Sequence, residues 1–120
     1  DVLQQLNSSS PVTLNNVYPI RDFVYINDVC EAFYRVIVND VCGIFNVATG
    51  IGTSIGDLAA LILYLTGQTT RDIVSRQVFS SPSCITLDMT KSLSMLNLNP
   101  HTPLSEGLRI VLEHNFAKSS

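Results

Sequence analysis

Arg21 has the side chain best suited to binding chemistry in this sequence. It directly precedes the β-branched and aromatic segment 22–26, in a chain with five arginines. A guanidinium group presents parallel N–H donors that match two oxygens of a phosphate. The residues also allow an ordinary ion pair between Arg21 and Asp22 or Asp28. They therefore leave open whether Arg21 binds an anion or stabilises the fold.

The small-residue loop 48–54, with Gly50 and Gly52, is a second candidate because it stands before an apolar helical segment. Backbone N–H groups of such loops bind phosphate at helix N-termini. This loop has no third glycine at dinucleotide-binding spacing and no Gly-Lys-Ser/Thr ending of a P-loop. We therefore expect a tight strand-to-helix turn rather than a phosphate site.

The histidines, serines and cysteines do not indicate metal or nucleophilic chemistry. His101 and His114 have no Cys or carboxylate at metal-ligand spacing, and no Gly-x-Ser-x-Gly motif is present. Cys30, Cys42 and Cys84 share no Cys-x-x-Cys spacing and stand among apolar neighbours. That pattern predicts buried, reduced thiols and a cytoplasmic location. We expect neither a metal site nor a catalytic residue in this chain.

The elements that would position these residues alternate between short strands and helices. Residues 1–6 have the pattern of the end of a helix. Five strands are predicted from β-branched and aromatic runs: Val12–Leu14, Asp22–Ile26, Gly43–Val47, Ile73–Val78 and Ile85–Leu87. The third is apolar enough to be buried on both faces, as in a parallel sheet.

Two helices are predicted in the first half of the chain. One begins at an Asn27 N-cap and ends at Asn39 and Asp40. The other runs from Ile55 to about Thr66, after a capping pair of Ser54 and Asp57, and ends before Gly67. The first has one apolar stripe, formed by Val29, Phe33, Val36 and Ile37.

Two more helices are predicted near the C-terminus. A short one, Lys91–Leu96, begins after a Thr90 cap and ends at Asn97 in the left-handed conformation. The last helix has Thr102 as its N-cap. Gly107 within it costs about 1 kcal/mol relative to Ala, which indicates close packing. Its apolar stripe is formed by Leu104, Leu108, Val111 and Leu112.

The composition is that of a folded domain with a sparsely charged surface. The chain has 120 residues, a formal net charge of −3 and a hydrophobic share of 46%. The negative charge argues against a nucleic-acid partner, and no apolar run is long enough to span a membrane. Charged residues make up 14%, against about 25% in typical domains. Either the chain lies against a large partner, or Ser, Thr and Asn form much of its exterior.

Four motifs in order resemble the extended short-chain dehydrogenase/reductase family, specifically its NAD-dependent nucleotide-sugar epimerases and dehydratases. The first is Arg-Asp-Phe-Val-Tyr-Ile-Asn-Asp at 21–28. The others are the Phe-Asn-Val-Ala-Thr-Gly loop at 45–50, Asp-Met-Thr-Lys at 88–91 followed by Leu-Asn-Leu-Asn-Pro at 96–100, and Thr-Pro-Leu-Ser-Glu-Gly-Leu at 102–108. The resemblance covers residues 1 to 117.

The resemblance implies an α/β fold: the C-terminal portion of such an enzyme, with about four helices and several short strands. Residues 1–120 would form the substrate-binding portion, a fragment that lacks the Rossmann part. The family's catalytic Tyr-x-x-x-Lys pair is absent, since no tyrosine is followed by Lys at the fourth position. NAD would be the cofactor of the parent enzyme, which oxidises the sugar at C4. This chain alone would bind no cofactor and be inactive.

The resemblance also implies substrate-binding roles for three residues. The arginine of the Arg-Asp-Phe motif contacts the diphosphate of the sugar nucleotide in the family, which assigns that role to Arg21. Arg76 is the nearest match to a second family arginine, although no Gly or Asp follows it as in the family motif. Asn46 matches the family's loop asparagine, and hydrogen bonding to the turn backbone is its alternative role.

The implied partners are a nucleotide-diphosphate sugar and the missing Rossmann part. In the family, the helix after the Arg-Asp-Phe strand and the 43–47 segment pack on that part. We therefore expect exposed apolar surface and self-association of this chain. The alternative function is a non-catalytic binding or scaffold protein with only this half of the fold.

Overall fold

The computed structural model describes residues 2–79, 81–100 and 102–118. The elements in chain order are α1 (Val2–Gln5), β1 (Val12–Leu14), β2 (Ile20–Asp22), α2 (Ile26–Val38), β3 (Gly52–Ser54), α3 (Ile55–Leu65), β4 (Ile73–Ser75), β5 (Cys84–Ile85), α4 (Thr90–Leu96) and α5 (Leu104–Lys118). The fold is α/β, as expected. The chain divides into two compact units. The first unit is Asp1–Arg21 with Thr53–Cys84, and the second is Asp22–Gly52 with Ile85–Ser120.

The first unit is built on two parallel strands packed with α3. Strands β1 and β4 pair in the register Val12↔Ile73 to Leu14↔Ser75. The Gln5 side chain extends this pairing, since its amide donates to Thr13 O at 3.1 Å and accepts from Thr13 N at 2.9 Å. The buried apolar residues of this unit are Val2, Leu6, Val12, Ala59, Ile62 and Leu63.

The second unit is mainly helical. Its core is the cluster Ala32, Ala48, Met89, Leu96 and Leu98, with Leu112 of α5 also buried. The buried Asp28 carboxylate joins the start of α2 to the segment before α5, because Thr102 N and Oγ1 donate to its two oxygens at 3.2 and 3.1 Å. The strands β3, β2 and β5 form a three-stranded sheet in that order. Each boundary between the two units falls within one of these strands.

The predicted helix ends are largely confirmed. Ser54 is the N-cap of α3 and accepts from Asp57 N at 3.0 Å. Gly67 and Asn97 have positive φ after α3 and α4, at 71° and 47°. The predicted close packing at Gly107 is also present, since a Cβ there would lie 3.3 Å from Tyr25 Cδ2.

Three helix starts differ from prediction. Helix α5 begins at Leu104, one residue after the start that a Thr102 N-cap predicts, because the Thr102 backbone N and hydroxyl donate to Asp28 instead. Helix α2 begins two residues earlier, at Ile26, with Tyr25 rather than Asn27 at the N-cap and no side-chain cap. At α4, the Asp88 carboxylate accepts from Thr90 N at 2.8 Å and from Thr90 Oγ1 at 2.6 Å. Met89 rather than Thr90 is therefore at the N-cap position of α4, and the preceding Asp88 carboxylate satisfies the first backbone donor of the helix.

Three predicted strands have other bounds. β2 ends at Asp22 instead of beginning there, because residues 23–25 lead without a ladder into the extended N-cap of α2. β4 stops at Ser75, and β5 is the pair Cys84–Ile85. The prediction of a buried strand at Gly43–Val47 is wrong: the segment forms no strand with any described residue, and Ile44 is 87% exposed.

The prediction of buried cysteines is also wrong. Cys30, Cys42 and Cys84 are free but exposed. Apolar neighbours do not bury Cys30, because part of the predicted α2 stripe is itself exposed, with Phe33 at 68% and Ile37 at 76%. No helix among the described residues is long and apolar enough to cross a membrane.

Candidate functional site

Arg21, the middle residue of β2, is held by oxygens of its own unit. Nη1 donates to Ile20 O at 2.7 Å and to Ser83 O at 3.0 Å. Nη2 donates to Ser83 Oγ at 3.0 Å. Backbone pairing brings Ser83 to this place, because Ile20 N donates to Ser83 O at 2.9 Å.

The ion pairs that the sequence allowed for Arg21 do not form. Asp22 and Asp28 are engaged elsewhere, and the guanidinium forms no salt bridge with a described carboxylate. All of its observed acceptors are neutral oxygens. Its positive charge is therefore available to an anion.

Asp22 fixes the glycine-containing loop. Thr49 N and Thr49 Oγ1 donate to its Oδ1 at 2.8 and 2.6 Å, and Gly50 N donates to Oδ2 at 2.8 Å. Burial raises the pKa of this carboxyl, but the hydrogen bonds from Thr49 and Gly50 outweigh burial and hold the pKa below its ordinary value.

This arrangement agrees with a structural turn rather than a phosphate site. The backbone donors of Thr49 and Gly50 already face an internal carboxylate, which would repel a second anion. The pyrophosphate of NAD therefore does not fit this loop.

Asn46 lies in the second unit and joins its loop to the start of α4. Its Nδ2 donates to Asp88 O at 2.8 Å, and its own carbonyl accepts from the buried Ser92 Oγ at 2.6 Å. The side chain therefore bonds backbone 42 residues away rather than its own turn. Lys91 supports the same loop, because its Nζ donates to Ile44 O at 2.8 Å and lies 4.5 Å from the centroid of the Phe45 ring.

Arg76 is exposed just beyond β4, in the same unit as Arg21. Its backbone N donates to Leu14 O at 2.8 Å, which continues the β1–β4 pairing. Its guanidinium makes one long contact, from Nη1 to Asn15 Oδ1 at 3.5 Å. The structure shows no direct contact between Arg21 and Arg76, and Asn46 belongs to the other unit.

The second unit contains an apolar pocket of about 290 Å³. Helix α2 lines it with Val29, Ala32, Phe33 and Val36, and the 43–47 segment lines it with Phe45 and Val47. No titratable side chain lines the pocket, so its surface suits apolar packing rather than catalysis.

No group of three or more His, Cys, Asp or Glu side chains in the described ranges could hold a metal ion. His114 is exposed on α5, and His101 lies outside the described residues.

The sequence reasoning did not find Ser83 or the Asp22 contacts. Ser83 follows Ser-Pro in an irregular stretch and has no motif, so only the β2–β5 pairing reveals it. A carboxylate such as Asp22 can accept hydrogen bonds from the backbone of a loop. The sequence spacing gives no sign that the loop is the one at Thr49, 27 residues away.

The fold and the site define a class of protein, and comparisons with known proteins agree with it. The chain matches RMD from Pseudomonas aeruginosa, solved with NADPH, with a TM-score of 0.83 and 18% identity over 97% of this chain and 39% of that one. It matches the UDP-glucose 4-epimerase of Thermotoga maritima, solved with UDP-glucose, with a TM-score of 0.79 and 26% identity over 99% and 39%.

Among curated proteins, 41 residues are 49% identical to ADP-L-glycero-D-manno-heptose-6-epimerase of Fusobacterium nucleatum, which is 33% of this chain and 12% of that protein. No protein-family model matches the chain. The family resemblance is nevertheless confirmed at the level of structure: the chain resembles NAD-dependent nucleotide-sugar epimerases and dehydratases of the extended short-chain dehydrogenase/reductase class, and it has the fold of their C-terminal part. It spans about two fifths of the length of the solved structures.

Proposed function

We propose that residues 1–120 are the nucleotide-sugar-binding portion of a NAD-dependent nucleotide-sugar epimerase or 4,6-dehydratase. The observation that carries this proposal is the Arg21 guanidinium, which has the motif position of a diphosphate-binding arginine and no carboxylate partner among the described residues. The fold of the chain and the nucleotide sugar in the Thermotoga maritima relative support the same substrate class.

Diphosphate is the chemistry that best matches Arg21. A half-buried guanidinium that meets only neutral oxygens keeps its full charge and has donors to spare. Charge-assisted hydrogen bonds from such a fork to phosphate oxygens are about twice as strong as neutral ones. Arg76, exposed in the same unit with one long contact, is a second cation for the substrate. For Asn46, a substrate-binding role is proposed from its motif position alone.

A Rossmann part is the partner that we propose for the second unit. The side chains of Phe33, Ile37 and Ile44 are mostly exposed, next to the apolar pocket of that unit. Exposed apolar residues at this density are typical of an interface. The scarcity of charged residues fits the same explanation, because a surface covered by a partner needs no charges.

The proposed contribution of this chain is binding energy and orientation. Contacts to the diphosphate, remote from the reacting carbon, hold the sugar so that its C4 is presented to the partner. NAD belongs to the parent enzyme, and the described loop 48–52 does not fit it. The chain alone is expected to show no NAD-dependent turnover of nucleotide sugars.

Calorimetric titration of the 120-residue chain with UDP-glucose, dTDP-glucose and ADP-glucose tests the proposal. At least one should bind, and Arg21→Ala should weaken it by about tenfold or more, the effect of losing hydrogen bonds to a charged group. Arg109→Ala is the matched control, because Arg109 is exposed and pairs with Glu113 on α5. Arg76→Ala should have a smaller effect, since an exposed side chain is screened by water.

Equal affinities of wild type, Arg21→Ala and Arg109→Ala would contradict the proposal, as would the absence of binding for all three sugars at millimolar concentration. NAD-dependent turnover by the chain alone would contradict the assignment of catalysis to another part.

A further inference from the structure

We propose that Ser83 is a positioning residue that aims the Arg21 guanidinium at the diphosphate; the proposal rests on the function proposed above. Ser83 lies outside the four motifs that resemble the family, so no motif assigns it a role. In the structure it supplies two of the three acceptors of Arg21.

The stereochemistry of the guanidinium decides which donors remain. Nη1 and Nη2 each direct one hydrogen to the end of the group, and there they meet Ser83 O and Ser83 Oγ, both at 3.0 Å. The other hydrogen of Nη1, on the Cδ side, meets Ile20 O at 2.7 Å. The protein therefore occupies three of the five donors.

The two remaining donors form a parallel pair. They are the Nε hydrogen and the outer hydrogen of Nη2, which lie side by side on one edge and have no acceptor among residues 2–79, 81–100 and 102–118. Such an edge matches two oxygens of one phosphate group. The Ser83 contacts thus leave free the edge that binds a phosphate in bidentate fashion.

Holding the guanidinium in advance also reduces the cost of binding. An arginine side chain has many rotamers, and a ligand that must order them loses affinity. The hydroxyl of Ser83 restricts rotation of the group, because it holds Nη2 at 3.0 Å while the backbone O holds Nη1 at the same distance. The backbone O alone would leave the group free to turn about the Nη1 contact.

Inorganic pyrophosphate is the probe that isolates this effect, with uridine as a ligand that carries no phosphate. In calorimetric titrations of the full chain, Ser83→Ala should weaken pyrophosphate binding by about three- to tenfold, as expected for loss of preorganisation. Ser83→Thr retains the hydroxyl and should restore wild-type affinity. Ser81→Ala, an exposed serine in the same stretch, is the matched control and should bind like wild type.

A merely structural role would give a different pattern. A folding defect in Ser83→Ala would weaken uridine and pyrophosphate binding together, and Ser83→Thr would not rescue it. Nitrogen-15 spectra of the arginine Nη groups provide a direct signature, because rotation of the Arg21 Nη2 group should be hindered in wild type and Ser83→Thr and faster in Ser83→Ala.

The results separate the two proposals. If Arg21→Ala loses pyrophosphate binding while Ser83→Ala binds as tightly as wild type or more tightly, the positioning role is wrong and the proposed function stands. If Arg21→Ala also binds like wild type, or if wild type binds no pyrophosphate, the proposed function itself fails. Loss of affinity in Ser83→Ala with rescue by Ser83→Thr and unchanged uridine binding supports both.

Discussion

The first unit buries Val2, Val12 and Ile62 in its own core, and its exposed large apolar residues are few among those described: Tyr64, Val74, Val78 and Phe79. The second unit buries a core around Leu96 but leaves much of α2 and of the segment after it exposed. The candidate anion-binding residues show the opposite distribution, because Arg21 and Arg76 both lie in the first unit. The comparison is the basis of our proposal that the first unit binds an anionic ligand and the second binds an apolar protein surface.

The largest effect is expected at the exposed face of α2. The wild-type chain should self-associate at high concentration, and the double variant Phe33→Glu, Ile37→Lys should weaken association at least about tenfold. The new pair, four residues apart, favours the helix, so folding should be retained. Light scattering over a concentration series measures the change. Tyr64→Glu, at an exposed position on α3 of the first unit, is the control. A wild-type chain that stays monomeric at all concentrations would contradict the claim that the exposed face of α2 is an interface.

The core of the second unit should resist a larger side chain at Gly107. Gly107→Leu places atoms against the Tyr25 ring and should lower the free energy of unfolding by about 2 kcal/mol, as overpacking does. Urea denaturation measures the loss. Glu106→Leu, at the exposed neighbouring position, should change stability much less. Equal effects of the two variants would show that Gly107 is not closely packed.

The Asp22 contacts to the loop should add pH-dependent stability to the second unit. Because the folded pKa of Asp22 lies below its ordinary value, the stabilisation is complete above the unfolded pKa and is lost as pH falls through the lowered folded pKa. Asp22→Asn should cost about 1–2 kcal/mol at pH 7, the value of hydrogen bonds to a charged acceptor.

Urea denaturation of wild type and Asp22→Asn between pH 7 and pH 2 checks the sign. The difference should begin to shrink as the pH falls below the unfolded pKa of about 4, because the unfolded carboxyl then binds a proton, and it should be lost once the pH has passed through the lowered folded pKa. Asp72→Asn, at an exposed position of the first unit, is the control. A stability difference that is constant with pH would contradict the assignment.

The smallest effect concerns the cap of α3 in the first unit. Ser54→Ala removes the acceptor of Asp57 N and should lower the free energy of unfolding by about 1 kcal/mol. Thermal denaturation should show a small decrease in Tm, and Thr70→Ala, in an exposed turn, should show none. A larger loss than that of Gly107→Leu would reverse the ranking of the two units.

Local signals predicted much of the fold. The helix ends were predicted because the residues that cause them lie within one turn of the helix. These residues are the Ser54 and Asp57 pair, Gly67 and Asn97. Gly107 correctly predicted close packing. Glycine is unfavourable within a helix, and it occurs here because any larger side chain would contact the Tyr25 ring.

Apart from the helix starts, the main errors concern distant partners. Gly43–Val47 has the composition of a buried strand, but a strand forms only beside another strand, and no described segment pairs with it. The cysteines and part of the α2 stripe were predicted buried because apolar spacing shows which face prefers burial, not what covers it. Arg21 was identified from its residue type and motif, whereas its acceptors at Ser83, 62 residues away, depend on strand pairing.

The most direct test of the central claim follows the Nε resonances of the five arginines by nitrogen-15 NMR while UDP-glucose is added. The account predicts that the Arg21 Nε–H signal shifts progressively and saturates, because that donor is on the open edge of the guanidinium. The signals of Arg35 and Arg109, which pair with Glu31 and Glu113, should stay in place. An Arg21 signal that does not move at saturating ligand would contradict the account.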